Sequence, residues 1–253
     1  MVTLEHWRAA QSTELGFWAG MSQGVMESLD VLYHNSAKAC YLTQLLRETP
    51  KSCVEIGPGP WGLGITGFLT KIPRRFCVDP DLRLNLDATA PFGNFVMEWR
   101  KSVHYIVGVG EDIPLASAST DLVVCCNVID HAHDPDKFLL ELNRILKPGG
   151  MLFFDVDTFS VLGLAKWHLW TKFRRQGELL VTAHTYRMFE PDVVRRLQAA
   201  GFILSHRNGH SLQSLWFGHS RKSTFLLRKR EQSDRSLTNS YTNRLRRANQ
   251  VKT

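Results

Sequence analysis

Residues 52–62 read Ser-Cys-Val-Glu-Ile-Gly-Pro-Gly-Pro-Trp-Gly, an apolar run that ends in a turn of alternating glycine and proline. The backbone of such a turn is bare. Gly57, Gly59 and Gly62 carry no Cβ to keep a ligand or a packed helix away from the main chain. Glu55 stands just before the turn, where its carboxylate is expected to face whatever docks there. Many α/β nucleotide sites and some plain turns share this glycine spacing, so its meaning depends on the rest of the chain.

Around and beyond the turn, strand-like and helix-like segments alternate. Cys53–Ile56, Arg75–Val78, Val103–Val107, Leu122–Cys126 and Met151–Val156 read as strands of nearly continuous apolar character. A helix is expected at Leu63–Leu69, and an amphipathic one at Pro135–Leu146, stopped by Pro148-Gly149-Gly150. Residues 81–100 show no clear period. Strands buried on both faces and separated by helices imply an α/β fold with a doubly wound, mostly parallel sheet. After Asp157 the rhythm breaks. A helix at Pro191–Ala200, a Gly201 cap and two closing strands, Phe202–His206 and Thr224–Leu227, complete the pattern. Residues 1–50 read as helical, with Trp7, Leu15, Phe17, Trp18, Met21, Val25, Met26 and Leu29 at helical spacing and a further helix over Ser36–Arg47.

The 253 residues suit one sizeable domain with additions. The expected division is a helical cap at 1–50, a main domain at 51–228 with a variable insert at 159–189, and a basic tail at 229–253. The net charge of +7 suggests nucleic acid at first sight. It sits almost wholly at the end, however: Arg228–Thr253 holds eight Lys/Arg against two acids. That tail reads as a disordered, solvated extension, so nucleic acid is not favoured as a partner. No run approaches the roughly 18 apolar residues of a membrane span, and the N-terminus lacks the pattern of a secretory signal. Five cysteines, an odd number lying mostly in apolar runs, suit buried thiols in a reducing compartment. The expectation is cytoplasmic.

Ligands of a doubly wound sheet bind beyond the carboxyl ends of its strands, and here those ends are polar. The first ends in Glu55 and the turn. The second ends in Asp79 and Pro80, 24 residues after Glu55, where an acid can hold ribose hydroxyls. The third leads into Glu111-Asp112-Ile113, and the fourth into Asn127 and the run Asp130-His131-Ala132-His133-Asp134. Any one of these residues could serve a loop or a cap, but four polar ends in the same direction argue for a site.

In this order and spacing, Cys53–Asp157 resembles class I S-adenosylmethionine-dependent methyltransferases, of the type 11-like group. The motifs are Glu55-Ile56-Gly57-Pro58-Gly59-Pro60-Trp61-Gly62, Val78-Asp79, Gly110-Glu111-Asp112-Ile113-Pro114-Leu115, Asn127-Val128-Ile129-Asp130-His131 and Leu146-Lys147-Pro148-Gly149-Gly150, over about two fifths of the chain. The resemblance implies a seven-stranded sheet whose last strand is antiparallel, and S-adenosyl-L-methionine as cofactor. It implies that Glu55, Gly57, Pro58, Gly59 and Gly62 lie along the methionine part. Asp79 and Pro80 would hold the ribose, Glu111, Asp112 and Ile113 the adenine, and Asn127 and His131 the floor toward the substrate. This chain has Trp61 where many relatives have a glycine, and Val109 where an acid usually precedes Glu111.

Methyl transfer by in-line displacement needs a nucleophile held close, aligned and dry, and orientation alone contributes roughly 7–11 kcal/mol. His131 and His133 are the candidate bases for an acceptor that must lose a proton. The fold explains His131, His133 and Asp134 without a metal, and none is expected. The leading expectation is transfer to O, N or C of a small-molecule acceptor, selected by the N-terminal helices (Trp7, Trp18, Tyr33) and by residues 159–189, which include Lys166, Lys172, Arg174 and Arg175. An RNA methyltransferase and a catalytically silent scaffold that binds a partner are the alternatives. A nicotinamide dehydrogenase is weaker, because prolines in the turn remove N–H donors that a phosphate would need. The oligomeric state is left open.

Overall fold

The computed structural model describes residues 3–21, 25–59, 64–80, 101–160, 186–208 and 221–231, with four isolated positions between 162 and 169. Gly62, Trp61, residues 81–100, the aromatic and basic side chains of 166–185 and the tail beyond Glu231 lie outside them, as does the side chain of Trp18. The described strands are β1 (Ser52–Ile56), β2 (Arg74–Asp79), β3 (His104–Val107), β4 (Thr120–Cys126), β5 (Leu146–Phe159), β6 (Met188–Phe189), β7 (Phe202–Asn208) and β8 (Arg221–Lys229). They form one sheet in the order β3-β2-β1-β4-β5-β8-β7, with β6 beside the far end of β5. The pairs from β3 to β5 are parallel, while β8 runs antiparallel to both β5 and β7. The seven-strand path and its antiparallel strand are those expected; the two-residue β6 is an addition.

Burial on both faces explains the apolar strands. Val54, Ile56, Val123, Cys125, Leu152 and Phe154 pack on one side of the sheet, under α3 (Pro135–Ile145) and α4 (Glu190–Ala199). Cys53, Leu122, Val124 and Phe153 alternate to the other side, under Ala39 and Leu42 of α2 (Val25–Leu45) and under Ile65. A period of two with both phases apolar is what a sheet covered on both faces demands.

Three local expectations change. The helix expected over Leu63–Leu69 is a single 3₁₀ turn, Ile65–Phe68, with Leu63 outside the described residues. The helix expected over Ser36–Arg47 is the second half of α2, which already begins at Val25; no proline or glycine interrupts it before Pro50. The fifth strand begins at Leu146 rather than Met151. Pro148-Gly149-Gly150 do end the helix, but the chain passes straight into extended backbone, with a register shift opposite Thr120 and Leu122. The Gly201 cap is as expected, at φ +93° with its N–H on the Gln198 carbonyl.

The N-terminal helix α1 (Leu4–Met21) lies near the carboxyl ends of the parallel strands. No described helix is long and apolar enough to cross a membrane. All five cysteines are free, three of them buried, and burial pushes the Cys53 thiol up to about 12.

The turn after β3 is stapled to α3. Arg144 donates to both Glu141 oxygens (2.7 and 2.8 Å) and to the carbonyls of Leu115 (2.7 Å) and Ile113 (2.8 Å). Glu141 in turn accepts the Ile113 N–H at 2.9 Å. The Arg144 bonds, with help from that N–H and against partial burial, hold the Glu141 carboxyl below its ordinary value. Arg144→Met is expected to cost about 1–2 kcal/mol in urea unfolding at pH 7, the low end because the pair is partly solvated. Glu141's folded value lies below its unfolded one. Its contribution is therefore complete above the unfolded value and is lost as pH falls through the folded value, so the gap between wild type and variant should narrow below about pH 4.

Candidate active site

Strand order reverses between β1 and β4, and there the loops part to leave a cavity of about 420 Å³. That size is ordinary for a small-molecule site, which runs roughly 300–1,000 Å³. Its walls come from Glu55–Gly59, Val78–Pro80, Gly108–Glu111, Cys126–Val128, His131, α1, α2 and Lys222.

The first wall explains the glycine turn. Gly57 has φ +69° and donates its N–H to the Val78 carbonyl at 2.9 Å. A Cβ there would stand 2.5 Å from a Val128 methyl, so both backbone and packing require glycine. Glu55 lines the cavity but does not offer its carboxylate to it. Its two oxygens accept the N–H groups of Ile65 (3.0 Å) and Thr66 (2.7 Å) at the start of the 3₁₀ turn. Burial pushes this carboxyl up, and those N–H bonds pull it partly back. A carboxylate 3% exposed must find donors inside the protein, and it finds them behind the cavity wall.

Asp79, 8% exposed, and Pro80 close β2 at the cavity. Of the turn after β3, Gly108–Glu111 line the cavity, whereas Asp112 is exposed and Ile113 is buried with its N–H on Glu141. Of the expected trio Glu111, Asp112 and Ile113, Glu111 therefore lines the cavity and the other two do not. The staple from Arg144 turns Ile113 into the core, and Glu111 is spent on the next loop. It accepts the N–H groups of His133 (2.6 Å) and Asp134 (3.2 Å).

That next loop, 127–134, is held from every side. Asn127 sits at φ +56° with its N–H on the Asp155 carbonyl (2.7 Å). Its Oδ1 is buried in the cavity wall without a partner among the described residues. The His131 carbonyl accepts Trp7 Nε1 (2.8 Å) and Gln11 Nε2 (3.2 Å) from α1. The His133 carbonyl accepts the Tyr186 hydroxyl at 2.9 Å, and Asp134 caps α3. His131 lines the cavity with its side chain 11% exposed. His133 does not; its ring meets the edge of Trp7 at 6.1 Å outside the lining. Of the two expected bases, only His131 is therefore placed at the cavity.

The wall under α2 is one that the sequence reading did not anticipate. Asp30, Val31, His34, Asn35 and Lys38 recur every three or four residues on one helix face, and that face overhangs the sheet ends. Lys38 forms an ion pair with Asp155, 1% exposed and paired on β5 with Cys126, the last residue of β4. Burial alone would lower the Lys38 ammonium, but Cys126 and Asp155 beside it more than compensate and hold it above its ordinary value. The signal in the sequence was the polar stripe itself, set in a helix whose other faces are mostly apolar. Among the described residues no cluster of His, Cys, Asp and Glu could hold a metal.

Asp79 at the second strand end, a bare turn at the first and an unpartnered amide oxygen at the fourth suit a nucleoside that carries a cationic sulfur. Residues 55–154 match the family model described as a methyltransferase domain. That stretch is about two fifths of the chain, and over it the protein is similar to methyltransferases. Over 80 residues the protein is 39% identical to thiol S-methyltransferase TMT1B of Rattus norvegicus, covering 31% of this chain and 32% of that protein. Over 76 residues it is 41% identical to dimethylglycine N-methyltransferase of Parasynechococcus marenigrum, 30% of this chain and 24% of that one. The chain thus spans about a third of the first of these relatives and about a quarter of the second. Geranyl diphosphate C-methyltransferase from Streptomyces coelicolor, solved with Mg2+, geranyl diphosphate and S-adenosyl-L-homocysteine, aligns at TM-score 0.57 and 15% identity. That alignment covers 77% of this chain and 79% of the other, and the likeness is one of fold.

α1 is tied to the site by two hydrogen bonds to one carbonyl. Replacing both donors, Trp7→Phe with Gln11→Leu, should speed amide exchange in α1 by roughly tenfold or more, at about 1 kcal/mol per bond. Exchange in β4 and β5 should be unaltered. Unchanged exchange in α1 would show that the anchor contributes nothing.

Proposed function

We propose that the protein transfers a methyl group from S-adenosylmethionine to a small-molecule acceptor. The observation that carries this reading is the convergence of Asp79, the Gly57–Gly59 turn, Asn127 and His131 on one cavity at the switch point. When bound, the cofactor supplies an electrophilic methyl group on a sulfonium centre. Asp79 is the acceptor for ribose hydroxyls, Val109 and Gly110 flank the base, and Pro58 and Gly59 follow the methionine portion. The Asn127 oxygen is the remaining acceptor at the floor. Glu55 and Glu111 act indirectly, by fixing the turns on which these groups stand.

The curated relatives named above act on a thiol and on an amine, which widens the acceptor atoms to S as well as O, N and C. The protein's part in any of these is to align the acceptor and to exclude water, which makes every charge in the cavity count for more. α1 roofs one side of the cavity through Trp7 and Gln11, and α2 walls another.

Calorimetry is expected to show S-adenosylhomocysteine binding in the micromolar range. Asp79→Asn should weaken it roughly 10- to 100-fold, the worth of a hydrogen bond to a charged group. The absence of both heat and thermal shift with cofactor and product would eliminate the reading. Labelled-methyl transfer to 2-mercaptoethanol, dimethylglycine and phenol then sorts the acceptor class.

A further inference from the structure

The polar face of α2 holds an imidazole whose two nitrogens are unequally engaged. His34 Nδ1 lies 2.8 Å from the backbone carbonyl of Asp30 and 3.2 Å from its carboxylate oxygen. Both partners are acceptors, so Nδ1 must carry the hydrogen in the neutral ring, and the lone pair belongs to Nε2. The ring lines the cavity and is 62% exposed. It therefore stands at the rim, where a proton taken from inside passes readily to water. The Asp30 carbonyl and carboxylate hold the ring in that tautomer.

The position of His34 separates it from the nucleoside end. Its helix neighbour Lys38 pairs with Asp155 on β5, and Lys222 of β8 lines the same end of the cavity. From Asp79 on β2 to Lys222 on β8 there are four strand spacings, roughly 19 Å at about 4.8 Å each. The cavity so runs from Asp79, suited to a ribose, to an end lined by Lys222 and by Lys38, whose ammonium is paired with Asp155. The titratable and charged groups that line the cavity on the elements around His34 are Asp30 and Lys38 on its own helix, Glu14 on α1, Cys126 on β4, Lys222 on β8 and His131 on the loop, with Asp155 of β5 paired to Lys38.

We propose that His34, held by Asp30, is the proton acceptor for a neutral thiol or hydroxyl acceptor bound at the β4–β5–β8 end of the cavity. This deepens the methyltransferase reading and rests on it. The acceptor's S–H or O–H bond breaks, its electron pair stays on sulfur or oxygen, and the proton goes to Nε2. That pair forms the new bond to the methyl carbon, while the pair of the broken carbon–sulfur bond stays on the cofactor sulfur. His34 then returns its proton to solvent at the rim.

Two measurements test this on the full chain. With S-adenosylhomocysteine bound, ¹⁵N NMR of the imidazoles should show neutral His34 protonated at Nδ1 and bare at Nε2; the opposite tautomer overturns the assignment. In turnover, His34→Gln should lower methylation of 2-mercaptoethanol at pH 7 by roughly 100-fold or more, the usual worth of a positioned base. Binding of S-adenosylhomocysteine should stay within about twofold of wild type. The same variant should methylate benzenethiol nearly as well as wild type, because that thiol is already largely ionised at pH 7 and needs no base. Raising the pH should rescue 2-mercaptoethanol for the same reason. Equal deficits with both thiols, or no deficit, overturn the proposal. A wild-type protein that binds S-adenosylhomocysteine but methylates neither of these thiols nor phenol overturns it while the cofactor reading stands. Failure to bind S-adenosylhomocysteine at all removes the methyltransferase reading itself, and the proposal with it.

Discussion

A carboxylate that enters the interior of a protein must be given donors, and at the carboxyl edge of this sheet that requirement decides the geometry of the site. Glu55 takes the first N–H groups of the 3₁₀ turn, and Glu111 takes two N–H groups from the loop after β4. Asp155 takes the ammonium of Lys38. Each is buried, and each joins a strand end to a different neighbouring segment. Leaving any one of them without its partner would cost several kcal/mol, enough to undo a turn. The cavity keeps its shape because these acids are already satisfied by the protein itself.

This division of labour among acids is also what limits reading the site from the chain. Strand ends at Glu55, Asp79 and Asn127 were legible, because a buried apolar run that breaks off at a polar residue marks where a parallel strand meets its ligand-binding edge. The order of the motifs located the cavity. The direction of each side chain was not legible. Nothing local distinguishes Asp79, which closes a strand at the cavity, from Glu55, whose oxygens turn to Ile65 and Thr66 ten residues further on. Likewise, the staple of Arg144 on Ile113 and Leu115 joins residues about thirty positions apart, and it is what turns Asp112 and Ile113 away from the cavity.

The helices show the same limit in another form. Apolar periodicity marked residues 1–50 as helical, and α1 and α2 are helices. Reading that stretch for its aromatics directed attention to Trp7 and away from the polar stripe of Asp30, His34 and Lys38. Trp7 proves to be an anchor whose indole N–H holds the His131 carbonyl. The stripe is what actually presents charge to the cavity. A helix packed on a sheet by Ala39 and Leu42 must place its remaining faces somewhere, and where the sheet ends the face beyond it looks into the opening.

The two ends of the cavity therefore have different origins. The end at Asp79 is built from strand termini and their turns, parts that the parallel sheet itself fixes. The opposite end is built from α2, α1 and the antiparallel strand β8, elements whose side chains can change without disturbing the register of β1, β2 and β4. Asp79 stands at one end, while Lys222 and Lys38, the latter paired with Asp155, stand at the other. Since the field strengthens as water is excluded, the same two helices that close the cavity also orient the charges within it.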